Sequence, residues 1–213
     1  MKNGKSFYRA IEAEITAAGQ PGTVEGRAVV FNEYSVPIYD WQVADQFEEI
    51  IRPDALSGCD LSDVLLRVNH DESMIPLART RAGGAGGLGA LELWIEDDGL
   101  HFRAVLDIEG SVQAKEAYTA VKNGVLRGMS FCFDLEDGDD EYYQRDGHII
   151  HEVYHIRMIT EISIVTYPAY PQTNLSARQA RSLENDRAGA EAFIKHREQE
   201  ELELAREKLS LYF

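Results

Sequence analysis

The sequence predicts a β-rich α+β domain over residues 1–175, followed by a charged helical tail over residues 176–213. Three observations lead there. Up to Gln172 the apolar residues fall in short runs bounded by Gly, Pro, Asp and Asn, the punctuation of strands and hairpins. Within that region a single long stretch, between Ser111 and Gly124, carries helical spacing. Beyond Gln172 the composition turns to Ala, Glu, Arg, Lys and Leu with almost no β-branched residues, which favours helix.

Taken in order, Phe7–Ile15 and Thr23–Phe31 read as strands joined by the turn residues of Ala18–Gly22. Asn32–Phe47 is aromatic and irregular, and reads as a loop. Pro53-Asp54-Ala55-Leu56, with Pro at a first-turn position, reads as the start of a short helix. Val64–Asn69 reads as a strand, and the Gly/Ala-rich Arg81–Gly89 as a mobile loop. Asp97-Asp98-Gly99 is a hairpin turn between strands Ala90–Glu96 and Leu100–Asp107. Ser111 caps the helix, Ala114, Ala117, Tyr118 and Val121 form its apolar face, and Gly124 stops it. Strand Arg127–Phe133, an acidic loop at Glu136–Glu141 and a hairpin at Tyr142–Tyr154 with Asp146-Gly147 at its tip come next, and strand His155–Thr166 closes the domain. The tail Ala177–Leu211 has a sparse apolar face (Ala192, Phe193, Leu202, Leu204, Leu209, Leu211), which suits either docking on a partner helix or a solvated tail.

Composition limits the function. A formal charge of −16 argues against non-specific DNA binding and against anionic membrane surfaces, since both need basic surface. No apolar run approaches the ~18 residues of a membrane span, and Met1–Ser6 lacks the apolar stretch of a signal peptide. Cys59 and Cys132 give no disulfide framework, so a reducing cytoplasm is expected. Cys132 follows Ser130 by two residues in one strand and is read as a packing residue.

Three separated segments carry chemistry: Val68-Asn69-His70-Asp71, Gly128-Met129-Ser130-Phe131, and Glu161 through Ala169. Between them they offer an imidazole, a hydroxyl and a carboxylate, the parts of a general base, a nucleophile and the group that orients the base. In an alternating strand Met129, Phe131 and Phe133 share one face and Ser130 and Cys132 the other. Likewise Ile162 and Ile164 oppose Glu161, Ser163 and Val165. Ser130 and Glu161 thus lie opposite the apolar faces of their strands, where a substrate has access. Asp71 is adjacent to His70, points the other way along a strand, and makes a poor orienter. Glu161 and His155 are both candidates for that role; six residues apart in a strand is roughly 20 Å, so only one can serve.

These segments, together with Gly26–Asn32, Glu48–Leu56, Leu65–Asp71, Ile75–Thr80, Gly124–Phe131 and Pro168–Pro171, resemble the signature of the phage prohead (capsid-maturation) serine proteases, fold relatives of the herpesvirus assemblins. The similarity covers most of residues 10–172. It implies a closed or nearly closed β-barrel flanked by helices, and a serine endopeptidase that processes scaffold, the scaffolding segment of the major capsid protein, and itself. In that family's terms Ser130 attacks, His70 relays the proton and Glu161, inside the matching segment, orients His70. Backbone amides after the last strand, near Ala169 and Tyr170, are the expected oxyanion donors; Pro168 and Pro171 lack an N–H. The resemblance also implies action inside the assembling prohead in the host cytoplasm, a homodimer, a tail that engages scaffold or is trimmed, and no cofactor or metal.

Two rival readings follow from other features. His151-Glu152-Val153-Tyr154-His155 fits the His-Glu-x-x-His pattern of zinc metalloproteases, but that pattern binds metal only on a helix, and its neighbours here are β-rich. The acidic body and charged tail equally suit a non-catalytic, scaffold-associated structural protein.

Overall fold

The strand bearing Ser130 is apolar on one face and small or polar on the other, and that two-sidedness organises the molecule. The computed structural model describes residues 5–12, 15–17, 19–35, 37–40, 45–82 and 86–166. In chain order the strands are Lys5–Glu12 (β1), Ile15–Ala17 (β2), Thr23–Val30 (β3), Ile38–Asp40 (β4), Asp45–Ile51 (β5), Leu65–Val68 (β6), Ala78–Arg79 (β7), Leu91–Glu96 (β8) and Gly99–Val105 (β9). A helix, Val112–Lys122 (α1), precedes Gly128–Leu135 (β10), Asp140–Arg145 (β11), His148–Val153 (β12) and Met158–Val165 (β13). Pro53–Leu56 forms a single 3-10 turn.

The strands make three sheets, ordered β1-β10-β13-β6-β7, β11-β12-β5-β4 and β2-β3-β9-β8. The fold is β-rich, with one α-helix among the described residues, and the ladders there do not join into one closed cylinder. The chain divides into two units. The first comprises residues 1–38 and 47–171; the second, 39–46 and 172–213, includes the tail, whose predicted helix lies outside the described residues.

One face of the first sheet supplies the core. Met129, Phe131, Phe133 and Leu135 of β10, Ile162 and Ile164 of β13 and Leu66 of β6 are buried with Val24, Ala28, Leu100 and Phe102 from β3 and β9. Helix α1 adds Ala114, Ala117 and Val121. Its ends follow the sequence: the Ser111 hydroxyl accepts from the Ala114 N–H at 3.2 Å, and Gly124, at φ +68°, allows the left-handed exit that ends it. The Asp146-Gly147 turn is left-handed at both positions, φ 52° and 85°, and closes β11 onto β12.

Two expectations change. The predicted loop 32–47 contains β4 and the first residues of β5. Strand β5 shows no clean alternation because Phe47, Glu49, Ile50 and Ile51 are all buried, and it forms through parallel pairing with β12, about a hundred residues away. The predicted strand His155–Thr166 starts only at Met158, after an irregular stretch at 154–157.

Candidate active site

The polar face of the first sheet is laid out by register. In neighbouring strands Ala10, Ser130, Ser163 and Arg67 form one row across β1, β10, β13 and β6, and Cys132, Glu161 and Leu65 form the next. A β-bulge creates that second row. Cys132 pairs with Glu161 but Phe133 with Ile159, leaving Thr160 without a partner on β10. The extra residue switches the parity of β13, so Ile159 and Ile162 both enter the core while Glu161 and Ser163 stay on the polar face.

His70 arrives by a sharper device. Strand β6 ends at Val68, and both Asn69 and His70 adopt left-handed backbone, φ 51° and 56°. Non-glycine residues pay roughly 1–2 kcal/mol each for that conformation, and it persists only where neighbours over-determine it. Here the Asn69 N–H donates to Ile164 O at 2.9 Å, and Asn69 Oδ1 accepts from the Thr166 N–H at 3.0 Å. The His70 N–H donates to Ser163 Oγ at 3.2 Å. This turn folds the imidazole back over β13 and β10 instead of letting it continue along β6.

The three candidate side chains meet. His70 Nε2 lies 2.6 Å from Ser130 Oγ, and His70 Nδ1 lies 2.5 Å from Glu161 Oε1. With the proton on Nδ1, that nitrogen donates to the carboxylate and Nε2 accepts from the hydroxyl, the tautomer a base needs to take the serine proton. Ser163 Oγ donates to Glu161 Oε1 at 2.8 Å. Burial pushes the Glu161 carboxyl up, but hydrogen bonds from His70 and Ser163, with the charges of His70 and Arg67, outweigh it and leave the group below its ordinary range. The carboxylate is therefore ionised across the neutral range.

Ser163 and Arg67 were not picked out from the sequence. A signal existed for each: Ser163 is two residues beyond Glu161 on one strand face, and Arg67 is the only charge in Leu65-Leu66-Arg67-Val68. Arg67 Nε lies 3.2 Å from Glu161 Oε2, near enough for an ion pair but too far off the N–H axis for a hydrogen bond.

Exposure departs from expectation. Ser130 is only 1% exposed, its strand flanked by β1 and β13 and its hydroxyl covered by His70. The polar face is thus closed over the hydroxyl, and His70, with its side chain 24% exposed, is the member that faces solvent. Asp71 is exposed and accepts hydrogen bonds from Ser73 instead of orienting His70. His155 is not on the strand with Glu161; its Nδ1 lies 3.3 Å from Asp139 Oδ1. Ala169 and Tyr170, the expected oxyanion donors, lie outside the described residues.

The metal alternatives are otherwise engaged. His151 sits in strand β12, fully buried, with Nδ1 2.8 Å from Glu49 and Nε2 2.7 Å from Asp140, and it stacks on Tyr142. His155 follows that strand, so the pair lacks the helical geometry a shared metal requires. Elsewhere Glu96, Asp98 and His101 offer ligand atoms within 4.8 Å of one another beside a 380 Å³ cleft lined in part by Arg27 and Trp94. Each is satisfied locally: His101 Nε2 by Asp98 at 2.7 Å, Asp98 by Arg27 at 2.6 Å, and Glu96 by the Trp94 N–H at 2.5 Å.

A hydroxyl, an imidazole and a carboxylate in hydrogen-bond sequence are the working parts of serine hydrolases as a class. The chain belongs to the caudovirus prohead serine protease family, whose sequence signature matches residues 9–187. The family places it among the serine proteases of phage capsid maturation, which act within the assembling capsid of an infected host cell. The chain matches no curated protein and no solved structure. Among the described residues no helix is long and apolar enough to cross a membrane.

Proposed function

We propose that this protein is a serine endopeptidase in which Ser130 attacks the scissile carbonyl, His70 takes the hydroxyl proton and passes it to the leaving amine, and Glu161 holds the imidazole and stabilises its protonated form. The observation that carries this reading is the His70 ring, in hydrogen-bond reach of both partners at 2.6 and 2.5 Å. Its substrates are the scaffold, the scaffolding segment of the major capsid protein and the chain itself. The first and third sheets, which bury their inner faces in one core, form the barrel-like wall that carries the site, and a homodimer of this chain is the working form. Backbone amides near Ala169 and Tyr170 stabilise the tetrahedral oxyanion, each such donor contributing on the order of a hundredfold in rate.

The chemistry follows from the charges. As Ser130 Oγ bonds to the carbonyl carbon, its proton moves to His70 Nε2 and the ring becomes cationic. Glu161, already ionised and held by Ser163, then faces an imidazolium and needs no rearrangement. Collapse of the intermediate breaks the C–N bond while Nε2 protonates the amine. Water, deprotonated by the same nitrogen, hydrolyses the acyl-enzyme and frees Ser130.

One observation favours the non-catalytic, scaffold-associated reading: the 1% exposure of Ser130, which requires the face to open before a peptide can enter. Co-expression with the capsid protein and its scaffold separates the two. Processing by the native chain that disappears in Ser130→Ala supports the protease; processing that survives the substitution, or none in either, supports the structural reading.

A further inference from the structure

We propose that Arg67 is a positioning residue that balances the charge of Glu161 beside His70 and ties down the turn on which His70 sits. The inference rests on the protease reading above and adds a residue to it.

The two oxygens of Glu161 are divided. Oε1 takes His70 Nδ1 at 2.5 Å and Ser163 Oγ at 2.8 Å, while Oε2 faces Arg67 Nε at 3.2 Å. The same guanidinium turns its Nη1 the other way, donating to the Asp71 carbonyl at 3.0 Å and the Met74 carbonyl at 2.8 Å. One side chain thus connects the carboxylate to the segment that follows His70, across a turn with two successive left-handed residues. Its place is set by register, since Arg67 pairs with Ser163 in the parallel ladder of β6 and β13.

The electrostatic consequence follows from this placement. A carboxylate beside an imidazole favours the protonated ring, and a catalytic base that rests protonated is inactive. The Arg67 cation opposes that pull without removing the carboxylate. Among the described residues, the groups that face Glu161 are Arg67 from β6, Ser163 from β13, Cys132 from β10 and the His70 ring; Asp71, the nearest other carboxylate in sequence, is exposed and bound to Ser73. Arg67 is the permanent cation of that set. Its Nε is buried and makes no hydrogen bond, so its role toward Glu161 is one of charge, while the Nη1 bonds secure the turn.

The two roles separate in the pH dependence of Ser130 phosphorylation by a small dialkyl fluorophosphate. In that reaction the Oγ–P bond forms, the P–F bond breaks, fluoride leaves and the hydroxyl proton passes to His70 Nε2. In Arg67→Met the acid limb of the labelling rate moves to higher pH, and the plateau falls because both carbonyl bonds are lost. In Arg67→Lys the charge remains, so the acid limb stays where the native protein has it although the plateau falls. Arg67→Gln, uncharged but polar, substitutes for the Met variant if that chain fails to fold. Native protein labelled at Ser130, with the same acid limb in the charge-removing and charge-keeping variants, overturns the proposal alone. Absence of labelling in the native protein sinks the protease reading and this inference with it.

Discussion

Replacing Glu161 by Gln keeps the shape of the side chain and removes its charge, which isolates what the carboxylate does for His70. In the native arrangement Oε1 meets His70 Nδ1 at 2.5 Å and Ser163 Oγ at 2.8 Å, and Oε2 faces Arg67 Nε at 3.2 Å. An amide offers one acceptor and one donor in place of two acceptors. With its oxygen toward His70, a charge-assisted hydrogen bond becomes a neutral one, a loss of about 1–2 kcal/mol, or roughly five- to thirtyfold in rate. With its NH2 toward His70, Nδ1 must accept, the ring proton moves to Nε2, and the base cannot take the serine proton. An equivalent substitution in chymotrypsin-type proteases costs roughly 10⁴ in kcat. Arg67 selects between these outcomes, because it has only donors and draws the amide oxygen toward itself, leaving the NH2 on the His70 side. The predicted loss in the second-order rate of Ser130 phosphorylation is therefore between about 10³ and 10⁴. A loss under tenfold, in a variant whose thermal unfolding matches the native protein, would refute the claim that Glu161 sets the His70 tautomer.

Other consequences can be measured separately. The folded Glu161 carboxyl lies below its ordinary value of 4.5, so the stability it contributes is present above that value and is lost as pH falls through the lower folded one. Between about pH 6 and about pH 3 the native protein should therefore lose more unfolding free energy than Glu161→Gln does; parallel denaturation curves would contradict this. Asn69→Ala should cost about 1–2 kcal/mol, through left-handed backbone and the lost bonds to Thr166, and Asn69→Gly less than that by chemical denaturation. At Gly99 an added Cβ would stand 2.0 Å from the Val29 carbonyl oxygen, so Gly99→Ala should disrupt the end of the β3–β9 ladder and lower stability by about 3 kcal/mol or more. Burial pushes the Cys59 thiol up to about 12, so iodoacetamide near pH 8 should leave Cys59 unmodified until the chain unfolds.

Local features were legible in the sequence where local chemistry decides them. The Asp97-Asp98-Gly99 hairpin, the Asp146-Gly147 turn, the Ser111 cap and the Gly124 stop need only a few adjacent residues; in the first, Asp97 and Asp98 make the turn and Gly99 opens β9. Alternation also separated Met129, Phe131 and Phe133 from Ser130 and Cys132. What stayed hidden depends on partners distant in sequence. Strand β5 is buried on both faces and has no period of its own. The unpaired Thr160 is defined only by the β10 register, so alternation counted back from Glu161 puts Ile159 on the wrong face, and His155 precedes the strand, which begins at Met158. The left-handed pair Asn69 and His70 reads as an ordinary strand end until Ile164, Ser163 and Thr166 pin it. Arg67 comes beside Glu161 and Ser163 only because parallel pairing of β6 with β13 sets them in register. The burial of Ser130 was invisible for the same reason, because a face that is polar in one strand can still be covered by its neighbours.

The most direct test is to treat the folded chain with a small dialkyl fluorophosphate, digest it and map the modified residue by mass spectrometry. A single phosphorylated peptide carrying the label on Ser130, lost when His70 is replaced by Ala, is the result required by a hydroxyl activated through the 2.6 Å contact with His70. Label on another serine, or labelling of Ser130 at the same rate without His70, would contradict it.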